Sequence, residues 1–128
     1  MALLLAAVLG LVLTPQGIVV PNSGTVTIVS IPSPKVRAEG RGVYKTPLRF
    51  SVAGASASGF IGGTVRSVGV VEIPATAIKC LAEGILVMRI NDQASVPMQG
   101  NVLGSGVIRN FQEGWAITNP NQTKVLCQ

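Results

Sequence analysis

One stretch of the chain occurs twice. Residues 35–52, KVRAEGRGVYKTPLRFSV, overlie residues 79–96, KCLAEGILVMRINDQASV, at an offset of 44, with identity at Lys35/Lys79, Ala38/Ala82, Glu39/Glu83, Gly40/Gly84, Val43/Val87, Ser51/Ser95 and Val52/Val96. Chance would supply about one such match. Each copy carries the pattern of a β-hairpin, in which Gly supplies the positive φ of a tight connection and Glu stands beside it in solvent. Counting outward from the Glu-Gly turn, Ala82 faces Ile85, Leu81 faces Leu86 and Cys80 faces Val87, while Val36 faces Val43 in the first copy. A fainter third copy, residues 108–117 over residues 78–87, keeps a cation, Glu113-Gly114 and a later apolar residue. It predicts a third turn, with Phe111 facing Ala116. The second copy is apolar on both faces, and a lone two-stranded ribbon is marginal in water, so the copies must stack on one another or on a partner.

The 128 residues suit one domain. Hydrophobic residues make up 48% and charged ones 12%, which excludes a disordered chain and a charge-laced helical bundle. Fifteen Gly and eight Pro favour short strands joined by turns. The chain has no His, so His-based acid–base catalysis, Ser-His-Asp and Cys-His arrangements and His metal ligands are all absent. Its acids are Glu39, Glu72, Glu83, Asp92 and Glu113, which form no close carboxylate pair in sequence. Glu83 and Glu113 are nominal bases, but their recurrence beside a turn Gly reads as turn polarity. No enzymatic activity is expected. Ten cations against five acids give +5, yet the cations are scattered and few aromatics are available to stack on bases, so nucleic acid is not an expected partner. No small-molecule substrate is expected either. Cys80 and Cys127 read as two ordinary thiols. The alternative is a single bridge, which needs an oxidising compartment.

No charged side chain precedes Lys35, and the first thirteen residues are wholly apolar. This run is shorter than a membrane-spanning helix and lacks the basic start of a secretory signal. Burial against protein is expected, either as a short helix or as a strand with a neighbour on each side. Residues 25–31 read as a strand ended by Pro32-Ser33-Pro34. Val65, Val68, Val70, Val71 and Ile73 suggest another before Pro74. Residues 53–63, nearly all small, read as a loop or tight crossing without the spacing of a phosphate-binding loop. Met88, Phe111 and Trp115 read as core or interface. The division is residues 1–30, an apolar segment and first strand, and residues 31–128, a repeat domain.

The second copy resembles the proline-alanine-alanine-arginine repeat (PAAR) family, the tips of contractile injection machines and phage tails. That family carries hairpins whose turn ends in Gly, followed by an apolar return strand, Arg and a Gly-Asp turn. Gly84-Ile85-Leu86-Val87-Met88-Arg89-Ile90-Asn91-Asp92 is similar, with Arg89 at the family Arg and Asp92 at the family Asp. Lys45 stands at the Arg position of the first copy. The resemblance implies an all-β fold in which three hairpins give a small cone with pseudo-threefold symmetry. Such a cone would seat on a homotrimeric spike, one tip per trimer, and meet the target membrane on contraction. It implies assembly in the cytoplasm of the producing cell into a virion or secreted particle. The family's tip zinc, held mostly by His with Cys, cannot be built the same way without His, so no metal or other cofactor is expected. The alternatives are a self-assembling β-rich virion or surface protein and a secreted binding domain whose first segment is a signal or anchor.

Overall fold

Strands are the only regular elements among the residues that the computed structural model describes, which are 3–4, 12–17, 19, 24–57, 64–101, 108–120 and 125–127. In chain order they are β1 (Leu3–Leu4), β2 (Val12–Pro15), β3 (Thr25–Ile28), β4 (Arg37–Ala38), β5 (Arg41–Gly42), β6 (Leu48–Ala53), β7 (Val65–Ser67), β8 (Val71–Ile73), β9 (Leu81–Ala82), β10 (Ile85–Leu86), β11 (Gln93–Asn101), β12 (Ile108–Asn119) and β13 (Leu126–Cys127). The protein is all-β, in small antiparallel sheets. A four-stranded sheet has the order β2-β12-β11-β7 and a three-stranded sheet the order β3-β6-β8; β1-β13, β4-β5 and β9-β10 are two-stranded.

Period-two alternation builds the main core. In β6 the side chains of Leu48, Phe50 and Val52 are buried, while Arg49 and Ala53 face solvent. Phe50 meets Trp115 of β12 with ring centroids 5.9 Å apart and planes tilted by 58°, joining the two larger sheets. Leu48, Ile73, Met88, Met98 and Ile117 complete a fully buried centre. A second, smaller cluster centres on the repeat: Ala38 and Val43 from the first copy pack with Ala82 and Val87 from the second and with Ala77 just before it.

The two clear copies form the hairpins that the sequence predicts. Glu39 and Gly40 have φ of 51° and 79°, and Glu83 and Gly84 have 52° and 80°. Two successive positive φ values are the signature of the type I′ turn, whose twist suits a two-residue hairpin. Ile85 pairs Ala82 and Leu86 pairs Leu81, and the Val87 N–H donates to the Cys80 carbonyl. In the first copy the Val43 N–H donates to the Val36 carbonyl.

The copies are related by a local twofold. Their return strands run antiparallel, with Lys45 opposite Val87, the Met88 N–H donating to the Tyr44 carbonyl and the Thr46 N–H to the Leu86 carbonyl. In this register Tyr44 faces Met88, and those two residues occupy the same position of the repeat. A twofold axis between them is what generates such a pairing.

The third copy is not a hairpin, and the pseudo-threefold arrangement is corrected. Glu113 and Gly114 lie in the middle of β12, opposite Val96 and Ser95 of β11. Phe111 pairs with Met98 and Ala116 with Gln93, instead of with each other. β12 has β11 along one edge and β2 along part of the other. A turn at Glu113-Gly114 would forfeit those ladders for two short pairs.

The apolar start joins the sheets. β1 pairs β13, and β2 pairs β12 with Leu13 buried. β2 lies at the sheet edge with one neighbour, not two, and leaves Val12 exposed and Thr14 and Pro15 partly so. A short helix is one expectation for the first thirteen residues; residues 3–4 and 12–13 are strand instead, and the rest of that run lies outside the described residues. The strand expected over 25–31 ends at Ile28, and the valine-rich stretch before Pro74 is split into β7 and β8 by a bend at Gly69, whose φ is 68°. Cys80 is disulfide-bonded and not a free thiol, and Cys127 is the other cysteine of the sequence. Val125, close to Cys127 in sequence, packs on the same cluster as Cys80.

A Cβ at Gly84 would meet open space, so the strain of a larger residue there comes from its positive φ alone. Gly84→Val is expected to lower stability by more than about 1 kcal/mol. At Gly114 a Cβ would sit 3.8 Å from the nearest atom, in Gln16, an ordinary contact without positive φ. Gly114→Ala should stay within about 0.5 kcal/mol of the parent. Urea unfolding of the two variants measures both.

Candidate functional site

The motif residues gather where the two hairpins meet. Glu83, at the tip of the second hairpin, has one carboxylate oxygen 3.0 Å from Lys45 Nζ and 3.0 Å from Ser33 Oγ. Lys45 comes from the return strand of the first copy. Ser33 lies between Pro32 and Pro34, is buried, and accepts from the backbone N–H groups of Lys35 and Val36. The second turn is thereby tied to both ends of the first hairpin. The Lys45 ammonium, then the Ser33 hydroxyl, hold the Glu83 carboxyl below the usual carboxylate range.

Arg89 and Asp92 form a second knot. Both are buried. The Asp92 N–H donates to the Arg89 carbonyl at 3.2 Å and the Arg89 N–H donates to Asp92 Oδ2 at 2.8 Å, closing a four-residue turn. Asn91, its third residue, has φ of 72°, a conformation that Asn tolerates better than most residues. The Thr76 hydroxyl links the two side chains, donating to Asp92 Oδ1 and accepting from Arg89 Nη2 at 2.9 Å. These residues shape the exit of the second hairpin. Lys45, at the equivalent place in the first copy, reaches across to Glu83.

Glu113 does not supply turn polarity. It is buried, and its Oε2 accepts from the Val19 N–H at 2.6 Å, while Oε1 has no hydrogen-bond partner. Gly17 packs directly over it, and a Cβ there would overlap Oε1. The carboxylate thus anchors the segment after β2 across the face of β12. Glu72 pairs with Arg49 at 3.1 Å on the surface. Glu39 and Gly40 form the first turn. Met88 and Trp115 are buried, and Phe111 packs partly buried against the core.

Sequence reasoning missed Ser33, Thr76 and Gly17. Ser33 and Thr76 lie outside the aligned copies, and Gly17 matters only because β12 brings Glu113 beneath it. Among the described residues no group of three or more His, Cys, Asp or Glu side chains could hold a metal ion. No family model, curated protein or solved structure matches the chain.

Asp92→Ala removes the acceptor of both the Arg89 N–H and the Thr76 hydroxyl inside the protein, and is expected to cost about 2–4 kcal/mol in urea unfolding. Thr76→Val should cost less. Because the folded pKa of Glu83 is depressed, its contribution is present above the unfolded carboxylate value of about 4.3 and fades as the pH falls through the lower folded value. Acid titration of the melting temperature should therefore be less steep for Glu83→Gln than for the parent below about pH 4.3.

Proposed function

We propose that the chain is a non-enzymatic tip protein, similar to the PAAR family, that caps a homotrimeric β-helical spike of a contractile injection system or phage tail. The observation that carries this reading is the paired Glu-Gly hairpins joined at Tyr44 and Met88, with Arg89 and Asp92 buried in the turn that follows. The acids support a mechanical role. Glu72, Glu83, Asp92 and Glu113 each hold a cation, a hydroxyl or a backbone N–H of the chain itself. Such ties resist distortion under axial load. No cofactor enters the proposal.

The local twofold changes how the cap would sit. Its two hairpins do not offer three equal patches to three identical subunits, so a single face of one chain would meet the spike end. The cap would assemble in the cytoplasm of the producing cell and travel on the particle, reaching the target membrane on contraction.

Native mass spectrometry of the chain with its trimeric spike should give one chain per three spike chains. A three-to-three complex, or no complex, would refute the reading. Homotrimers of the isolated chain at micromolar concentration would instead favour a self-assembling structural protein.

A further inference from the structure

Comparison of the two hairpins isolates one side chain that the hairpin fold does not require. Cys80 holds the place that Val36 holds in the first copy. Both are partly buried against the small cluster, and each carbonyl accepts from the valine across the hairpin, Val36 from Val43 at 3.1 Å and Cys80 from Val87 at 3.2 Å. The same hairpin forms around either residue, so the sulfur serves something else. It is in a disulfide, and Cys127 is the only other cysteine of the sequence.

Cys127 lies in β13, whose pairing is slight. β1 and β13 share two residue pairs, Leu3 with Cys127 and Leu4 with Leu126, and form a sheet of their own. A ribbon of that size does not persist in water by itself. Leu126 is 58% exposed, so its side chain adds little burial. Val125, just before it, packs partly buried on the same cluster as Cys80. Among the described residues, the two larger sheets and the buried centre around Phe50 and Trp115 use nothing from β1 or β13. Opening the bridge therefore takes a tie from the ribbon and none from those sheets. Cys80 is itself partly exposed, within reach of a small thiol.

We propose that the bridge joins Cys80 to Cys127 and acts as a redox latch, holding the β1–β13 ribbon on the repeat when oxidised and releasing it when reduced. Closing the latch takes two thiols to one disulfide. Two protons and two electrons pass to an oxidant of the disulfide class, so that oxidised glutathione leaves as two molecules of glutathione. A dithiol reverses the exchange and is itself oxidised to a disulfide. Thiols stay reduced in the cytosol and pair in oxidising surroundings, so the state of the ribbon follows the compartment. The latch rests on the cysteine pair and is independent of the spike assignment.

The test compares the isotopically labelled full chain, oxidised and then reduced with a water-soluble phosphine, by intact mass and by backbone NMR relaxation. Reduction should add two hydrogens to a monomer. Order parameters at Leu3, Val125, Leu126 and Cys127 should fall from about 0.85 to below about 0.6, while those of Phe50, Met98 and Trp115 hold. Oxidised glutathione should restore the ordered ribbon. Cys80→Val, which copies the first hairpin, and Cys127→Ser should each match the reduced parent and ignore the phosphine. Three results would overturn the proposal: a ribbon equally ordered in both states, a disulfide that links two chains in the non-reduced mass, or loss of order throughout the core in the reduced parent and both variants, which would make the bridge a support of the whole fold.

Discussion

The antiparallel join between the two return strands is the contact on which the repeat depends. A hairpin with apolar residues on both faces has no reason to persist in water. Pairing Tyr44–Thr46 with Leu86–Met88 lets the second hairpin bury Ala82 and Val87 against Ala38 and Val43 of the first. The same register carries Lys45 to Glu83 and leads Met88 into the main core beside the Phe50 and Trp115 layer. One pairing thus links the small cluster to the large one.

The long strand β12 sets the other constraint. Its ladder with β11 runs from Gln93 opposite Ala116 to Asn101 opposite Ile108, and β2 adds to it on the far edge. Glu-Gly in this context is a strand segment, although the same dipeptide turns the chain at Gly40 and Gly84. The outcome also explains Glu113, which exchanges a solvated turn for a buried anchor on the Val19 N–H. A carboxylate that ties down backbone is a structural part, as are Asp92 and Glu83.

The proposed assembly role rests on the two joined hairpins and the turn that follows them. Hairpins, knot and turn ties join Ser33, Lys45, Glu83, Thr76, Arg89 and Asp92 into one hydrogen-bonded unit.

Much of this architecture was legible before any coordinates. The spacing of Gly and Pro, the low charge and the absence of His pointed to an all-β, non-His-based chain, and the two strong copies gave both turns and their pairings residue by residue. Those features are local: a type I′ turn is chosen by the residues at its centre, and pairing follows by counting outward from it. The third copy, the twofold and the roles of Ser33, Thr76 and Glu113 were settled by tertiary structure alone. Whether Glu-Gly bends or stays extended depends on whether a neighbouring strand offers a ladder, and partners such as Glu83 with Ser33 are 50 residues apart. Long-range pairing of this kind leaves no mark in the spacing of a single chain.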